Sequence, residues 1–318
     1  MPLQHVPSRI IIGTRMSAMA MAQTATVVGR LRRAHPGLAT HLARITTTAD
    51  QHLGSLDAVG GKAAWVRELD AALVAGRADL TVSCAKDLPG PRERGSDVVI
   101  GAVLPRQDAR DAVVLPAGVP PVPLRDLAPG SVLGTIAPRR AAQLRALFPH
   151  LVVQSLRGNL DTRIKRLDEG NAGLDALVVS CAGLERLGLL DRAAEVLPAD
   201  VILPATGAGF VVVERRAGDK IATELLREIN DPAAERLLRI ERGVLGAIGG
   251  DCHTACSVHA VYDESNTQVK ITAAVFDPLG GAAVKADVIR GVGDDQAVID
   301  EVAQRLRDGG ATALLSPA

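Results

Sequence analysis

The chain has 318 residues, 47% of them hydrophobic, which is long enough for more than one domain with its own core. Its 36 basic residues balance 36 acidic ones, so no global charge attracts nucleic acid or an anionic membrane. Only 2% of the residues are aromatic, which argues against a base-stacking surface. No apolar run could span a membrane and no leader opens the chain, so we expect a cytoplasmic protein.

The first hundred residues alternate between strand-like and helix-like patterns. Ser17 is a typical N-cap for the first helix, and Gly76 is a typical stop for the second. The predicted elements are strands at residues 9–15, 41–46, 79–84 and 97–104, and helices at 17–33 and 62–76. Strand–helix alternation of this kind indicates an α/β domain with parallel pairing.

A second α/β run follows from residue 111, and the pattern changes near residue 230. The second run is predicted to hold strands at 111–116, 131–135, 151–156, 174–180 and 201–216, and helices after Pro138, Asn159 and Cys181. The last part is predicted to hold a helix at 232–250, strands at 257–263, 268–276 and 283–290, and a helix at 294–308. Consecutive strands there indicate a smaller α+β domain with an antiparallel sheet.

The stretch GGDCHTACSVHA at residues 249–260 contains Cys252, His253, Cys256 and His259. Two cysteines and two histidines can bind zinc, but their spacing is poor for a tetrahedral site. A disulfide is disfavoured, because four cysteines in a chain of this length indicate free thiols in a reducing compartment. The stretch also fits a cysteine alkylated by a cofactor, or two incidental thiols.

The stretch SCAKDLPG at residues 83–90 ends a predicted strand with Lys86 and Asp87. A carboxylate at the carboxyl end of a strand faces the cleft of an α/β domain, where it can transfer protons or stabilise a developing cation. The same carboxylate would also suit a turn before Pro89. The residues alone leave both interpretations open.

Residues 139–166 hold seven basic residues against one acid, Asp161. A solvated helix face accounts for three of them, Arg145, Lys165 and Arg166. The others, together with one arginine in the first strand-to-helix loop, follow predicted strands and lie around helix starts, where anions gather. These arginines are Arg15, Arg139, Arg140, Arg157 and Arg163. Guanidinium groups bind carboxylates bidentately, so the pattern predicts a ligand with several carboxylates or phosphates.

Eight stretches, taken in chain order, match one set of family motifs. They are IGTRMSAMAMAQ (12–23), the signature ending in KDLPG (60–90), LPRQDARDAVV (104–114), GTIAPRRAAQL (134–144), LRGNLDTRI (156–164), AGLERLGL (182–189), LPATGAGF (203–210) and GGDCHTACSVHA (249–260). The set is similar to that of the hydroxymethylbilane synthases, also called porphobilinogen deaminases. The resemblance covers almost the whole chain.

The resemblance implies two α/β domains like those of periplasmic binding proteins and a small α+β domain that carries a cofactor cysteine. It places the first domain at residues 1–107 and 204–224, the second at 108–203 and the third at 225–318. It also implies a monomeric transferase that adds porphobilinogen units head to tail and releases ammonia each time. The product would be the linear tetrapyrrole hydroxymethylbilane.

The resemblance assigns roles to individual residues. Cys252 would carry a dipyrromethane cofactor through a thioether, and no metal is implied. Asp87 would be the catalytic residue that helps ammonia to leave and stabilises an azafulvene cation. The cofactor-binding positions would be Ser17, Lys86, Arg139 and Arg140. The substrate-binding positions would be Arg15, Gln23, Arg157, Arg163 and Arg186.

Several residues depart from the family pattern, and we expect these changes to cluster at the cleft and not in the cores. They are Met16, Trp65, Ser83, Cys84, Ile136, Ala137, Ala208, Phe210, Ala255 and Ser257, with Cys256 as a second thiol. They keep three alternatives open. One is a divergent paralogue with a shorter or different pyrrole product, and another is a non-catalytic protein that binds pyrrole carboxylates. The third is a zinc- or redox-regulated protein that uses Cys252, His253, Cys256 and His259.

Overall fold

The computed structural model describes residues 7–52, 56–61, 63–91, 93, 95–250 and 254–315. Cys252 and His253, on which the cofactor and zinc interpretations depend, lie outside the described residues. The chain forms two compact units, one from Met1–Gln107 with Gly209–Arg236 and the other from Asp108–Ala208 with Leu237–Ala318. The division into three domains stays a prediction.

Strands and helices alternate through most of the described residues. The strands are β1 (Arg9–Thr14), β2 (Ala39–Arg44), β3 (Leu80–Cys84), β4 (Val98–Val103), β5 (Asp111–Val114), β6 (Val132–Gly134), β7 (Val152–Gln154), β8 (Ala176–Ser180), β9 (Ala193–Leu197), β10 (Val211–Arg216), β11 (Cys256–Tyr262), β12 (Gln268–Phe276) and β13 (Ala283–Gly291). The α-helices are α1 (Ala18–Ala34), α2 (Thr48–Gln51), α3 (Ala63–Val74), α4 (Pro138–Leu147), α5 (Leu160–Asp168), α6 (Cys181–Arg186), α7 (Lys220–Arg227), α8 (Pro232–Ala247), α9 (Asp295–Asp308) and α10 (Ala311–Leu315). None of these helices has the length and apolar character needed to cross a membrane.

The first unit is built on a five-stranded sheet in the order β2-β1-β3-β10-β4. β2, β1 and β3 are parallel, whereas β10 is antiparallel to both of its neighbours, β3 and β4. The strands are apolar because helices cover the sheet, and Ile12, Leu80 and Val213 are fully buried in its core. Helices α1 and α7 contribute Leu31 and Leu225 to the same core.

The second unit contains a sheet of the same design, in the order β7-β6-β8-β5-β9. β6 is parallel to β7 and β8, and β5 is antiparallel to β8 and β9. Its core includes Val113, Leu133, Leu144 and Val178, all of them fully buried. Each sheet therefore presents the carboxyl ends of three parallel strands along one edge.

A third sheet, β11-β12-β13, is antiparallel throughout and belongs to the second unit. Ala142 of α4 and Leu203 share a small buried cluster with Ala255, Ala274 and Phe276 at the start of β11 and along β12. The arginine-bearing helix α4 is thus packed against β12 and against Ala255, the residue just before β11.

The predicted α/β class with an additional α+β sheet is confirmed, but two expectations about strands were wrong. β4, which was expected to pair in parallel, lies at the edge of its sheet and is antiparallel to its neighbour β10, because β10 comes from a distant part of the chain and not through a helical crossover. Residues 201–210, which were expected to be strand-like, form turns. Pro204 lacks an N–H, and Gly207 and Gly209 have φ values of 76° and 84°, which no regular strand adopts.

Candidate active site

Three charged side chains follow the carboxyl ends of parallel strands in the first unit. Arg15 follows β1, Asp50 lies in α2 after β2, and Asp87 ends the 3₁₀ turn after β3. Because these strands are parallel, their carboxyl ends lie along the same edge of the sheet. This edge is where open α/β sheets bind their ligands.

A pocket opens at this edge. It is lined by Arg15, Met19, Ala20, Gln23, Trp65, Val66, Val82, Ser83, Cys84 and Asp87. Two buried atoms in the side chains that line it, Nε2 of Gln23 and Oγ of Ser83, have no hydrogen-bond partner in the part of the chain that the structure describes. Burying a polar atom without a partner costs about 1–3 kcal/mol. The two atoms therefore favour a ligand that carries oxygen acceptors.

Asp87 is half-buried in the wall of this pocket. Lys86 is also half-buried, but it lies outside the lining residues. Ser17 is outside the lining as well, and it is the predicted N-cap of α1: its Oγ accepts a hydrogen bond from the Ala20 amide at 3.2 Å. A cofactor contact by Ser17 or Lys86 stays a prediction.

Arg15 is held between a carboxylate and an aromatic ring. Its Nε donates to Oδ2 of Asp50 at 3.1 Å and its Nη2 donates to Oδ1, so the ion pair is bidentate. The guanidinium carbon lies 4.1 Å from the centroid of the Trp65 ring. Burial raises the pKa of Asp50, but hydrogen bonds from Arg15 and Thr47 and the charge of Arg15 outweigh this effect and lower the pKa overall.

In the second unit, Arg139 and Arg140 are buried around the carboxylate of Asp111. Arg140 donates from Nε and Nη2 to the two carboxylate oxygens at 3.0 and 2.7 Å, and Arg139 donates from Nη2 to Oδ2 at 2.8 Å. Burial raises the pKa of Asp111, but the charges and hydrogen bonds of the two arginines lower it far below its ordinary value. Two guanidinium groups against one carboxylate leave a net positive charge, which favours an anionic ligand.

The carbonyl of Leu203 joins this arginine pair to the third sheet. It accepts hydrogen bonds from Nη1 of Arg139 at 2.9 Å, from Nε2 of Gln143 at 3.2 Å and from Oγ of Ser257 at 3.2 Å. The Oε1 of Gln143 in turn accepts from the Leu203 amide at 2.7 Å. Ser257 lies in β11, so one peptide fixes Arg139 to the strand that follows Cys252.

The other three predicted arginines, Arg157, Arg163 and Arg186, are half-buried in the second unit. Arg157 follows β7, which is parallel to β6, and the carboxyl end of β6 leads to Arg139. The Nη1 of Arg157 is buried and has no hydrogen-bond partner among the described residues. The structure thus groups some predicted residues around one pocket and others around Asp111, and it places Arg157 along the second sheet's carboxyl edge.

Two of the changed residues, Ala208 and Phe210, are buried, and their place at the cleft stays a prediction. Ala208 is 3% exposed and Phe210 is fully buried. The guanidinium carbon of Arg106 lies 4.4 Å from the centroid of the Phe210 ring. A buried ring of this size is core, because its burial removes a large apolar surface from water.

Other changed residues do lie at the sheet edges. Ser83 and Cys84 line the pocket of the first unit. Ile136 is 37% exposed, and Ala137 begins α4 without a side-chain cap. The Ala137 amide donates instead to Oγ1 of Thr135 at 3.4 Å.

The described cysteines, Cys84, Cys181 and Cys256, are buried and form no disulfide with one another. Burial, followed by the charges of two nearby aspartates, raises the pKa of Cys181 to about 12, so this thiol is a poor nucleophile at neutral pH. Within the described ranges, no group of three or more His, Cys, Asp or Glu side chains could hold a metal ion. Cys252 and His253 lie outside those ranges, so zinc binding by them stays a hypothesis.

The fold and these sites define an α/β protein with arginine-containing sites that suit a ligand with several carboxylates. Residues 10–224 match the family described as porphobilinogen deaminase, dipyromethane cofactor binding domain. The chain belongs to the porphobilinogen deaminase family.

Relatives of similar length support this assignment. The chain is 38% identical over 309 residues to porphobilinogen deaminase 2 of Streptomyces coelicolor, with 97% of each chain covered. It is 39% identical to the porphobilinogen deaminase of Roseiflexus castenholzii, covering 96% of this chain and 98% of the relative. It is 40% identical to that of Thiobacillus denitrificans, covering 96% and 97%.

Two solved structures that match the chain share little sequence with it. The methionine binding protein MetQ is 10% identical, with a TM-score of 0.44 over 74% of this chain and 95% of that structure. A periplasmic VFT2 domain of Bordetella pertussis BvgS is 15% identical, with a TM-score of 0.44 over 74% of this chain and 92% of the domain. The family assignment rests on the sequence matches alone.

Sequence reasoning missed two residues that the site depends on, Asp50 and Asp111. Asp50 is the first acidic residue in the chain and follows six arginines, so its sequence position indicated that it pairs with one of them. Asp111 opens the apolar strand DAVV, where an ionised side chain has to be paired. Neither sequence feature predicts which arginine forms the ion pair.

Proposed function

We propose that this protein is a transferase that condenses porphobilinogen units head to tail, with release of ammonia, to give the linear tetrapyrrole hydroxymethylbilane. The observation that carries the proposal is the pocket in which Arg15 and Gln23 accompany Asp87, in a member of the porphobilinogen deaminase family. The chemistry needs a carboxylate for a developing cation and cationic donors for the carboxylates of the substrate. This pocket contains both.

The residues of the chain fit a dipyrromethane cofactor. In the first unit, the unpaired atoms of Gln23 and Ser83 suit a polar ligand. In the second unit, the net positive charge of Arg139 and Arg140 around Asp111 suits carboxylates. When bound, the cofactor supplies the primer to which pyrrole units are added. We assign its attachment to Cys252, through a thioether, as the family resemblance implies.

Asp87 acts on the reacting part of the substrate. Its carboxylate stabilises the positive charge that develops as ammonia leaves, and it accepts hydrogen bonds from pyrrole N–H groups. Its half-buried position strengthens this effect, because a charge partly shielded from water acts through a lower dielectric. Lys86 and Ser17 serve the cofactor beside it.

The arginines bind and orient the carboxylate side chains of the pyrroles. The substrate carboxylates are assigned to Arg15 in the first unit and to Arg157, Arg163 and Arg186 in the second. Arg139 and Arg140 take the cofactor, and their burial keeps them in a fixed orientation before any ligand arrives. The unpaired Nη1 of Arg157 supports this division, since it offers a donor that no described residue uses.

Outside the site, we propose a cytoplasmic monomer without a nucleic-acid or membrane partner. The balance of 36 basic and 36 acidic residues supports the absence of nucleic-acid and membrane partners, since the chain has no net positive charge to attract them.

The deciding experiment measures the intact mass of the protein from cells that make porphobilinogen, beside a Cys252→Ser variant. We expect the wild type to carry the mass of two linked pyrrole units and the variant to lack it. A Cys256→Ser variant, which should keep the added mass, is the matched control. Ammonia release from porphobilinogen then measures turnover.

Two results would redirect the proposal. An unmodified wild type that binds porphobilinogen reversibly would make the protein a binding protein. A modified wild type whose product is shorter than four pyrroles would make it a divergent paralogue.

A further inference from the structure

Arg15 is assigned to a substrate carboxylate, yet its guanidinium already has a carboxylate partner. Asp50 accepts from Nε at 3.1 Å and from Nη2, which are the donors that a ligand carboxylate would use in a bidentate pair. The side chains of Arg15 and Asp50 are 16% and 20% exposed, so the pair lies partly shielded at the pocket. Only Arg15 is among the lining residues.

We propose that Asp50 is an internal competitor that occupies Arg15 until a substrate carboxylate replaces it. This inference rests on the proposed function, because it assumes that Arg15 binds the substrate. Asp50 then sets how tightly carboxylate-bearing pyrroles bind. It favours pyrroles whose own carboxylate can replace that of Asp50 on Arg15.

The local contacts make this exchange feasible. Asp50 accepts from the Thr47 amide at 3.1 Å and from Thr47 Oγ1 at 2.8 Å, so it keeps two hydrogen bonds after it releases Arg15. The Trp65 ring, 4.1 Å from the guanidinium carbon, can hold Arg15 in place while its partner changes. The lowered pKa of Asp50 keeps its carboxylate ionised at neutral pH.

Asp111 and Asp50 differ in how far solvent and ligands can reach them. The Asp111 side chain is 1% exposed and its two arginine partners are 7% and 5% exposed, so a ligand cannot take its place without unfolding the site. Asp111 is a permanent partner, whereas Asp50 is a replaceable one.

Trp65 provides a direct readout, because it is the one tryptophan of the chain and its ring lies against Arg15. We would titrate wild type, Asp50→Asn and Asp97→Asn with porphobilinogen, following tryptophan fluorescence for binding and ammonia for turnover. Asp97 is the matched control, since it is exposed and precedes β4, at the opposite side of the sheet from β2.

We expect Asp50→Asn to lower the dissociation constant and KM roughly two- to fivefold, the size of effect that a partly exposed ion pair has. Asp97→Asn should leave both unchanged. In an Arg15→Gln background, Asp50→Asn should have no effect on binding, because the guanidinium for which Asp50 and the substrate compete is absent.

Three outcomes would overturn the inference. They are an unchanged or raised dissociation constant in Asp50→Asn, an equal decrease in Asp97→Asn, and a decrease that persists in the Arg15→Gln background. If wild type binds porphobilinogen but releases no ammonia, the proposed function fails while the fluorescence titration still decides the role of Asp50. If no variant binds porphobilinogen, both fail.

Discussion

The carboxylate of Asp111 accepts the guanidinium fork of Arg140 at both oxygens, at 3.0 Å from Nε and 2.7 Å from Nη2. Arg139 bonds the same carboxylate, so a fully buried acid organises both arginines that are assigned to the cofactor. The protein therefore fixes this part of the site by its own ion pairs, before any ligand contributes.

Replacing Asp111 should destabilise the protein strongly. Asp111→Asn leaves two buried guanidinium groups without a counter-ion, and breaking a buried pair in this way costs about 3–5 kcal/mol. Urea unfolding measures the loss. Asp126→Asn is the control, because its side chain is 57% exposed and its contact with Arg125 is 3.8 Å long, so we expect a change within about 0.5 kcal/mol. Equal effects in the two variants would contradict the role of Asp111.

The same ion pair should make stability depend on acid pH. The pKa of Asp111 lies below its ordinary value of 3.8 in the folded protein, so its contribution is complete above that value and is lost as pH falls towards the folded pKa. We expect the difference in unfolding free energy between wild type and Asp111→Asn to be constant near neutral pH and to shrink below about pH 4. A difference that does not change between neutral pH and pH 3 would count against this account.

Removing the carboxylate of Asp87 should abolish most turnover while leaving the fold intact. Asp87→Asn keeps the shape of the half-buried side chain but removes its charge, and such groups contribute about 10²–10⁴-fold to rate. Single-turnover ammonia release measures the effect, with Asp97→Asn as a charge-matched control. A variant with wild-type kcat would remove Asp87 from the mechanism.

Gly209 should tolerate no side chain. Its φ is 84°, and an added Cβ would lie 2.3 Å from the carbonyl oxygen of Gln107. Gly118 has a similar φ of 82° but open space around it, so it separates backbone strain from the clash. We expect Gly118→Ala to cost about 1 kcal/mol and Gly209→Ala to cost clearly more, about 3 kcal/mol, by thermal or urea unfolding. Similar losses would mean that the contact with Gln107 relaxes easily.

Much of the fold was predictable because its signals are local. The strands expected at residues 257–263, 268–276 and 283–290 are found at Cys256–Tyr262, Gln268–Phe276 and Ala283–Gly291. Apolar runs, turn residues and caps such as Ser17 act over a few residues, so they can be read along the chain. The antiparallel direction of β5 and β10 could not be read in this way, because pairing depends on segments far away in sequence.

The sequence by itself determined the positions of most strands and helices, the family and the set of arginines that a polycarboxylate ligand requires. Only the tertiary structure decided which carboxylates those arginines already hold. Asp111 lies 29 residues from Arg140 and Asp50 lies 35 residues from Arg15, and the folded sheets bring each pair into contact. The first pair is buried and the second is partly exposed, a difference that depends on the surrounding packing and not on the identity of the residues.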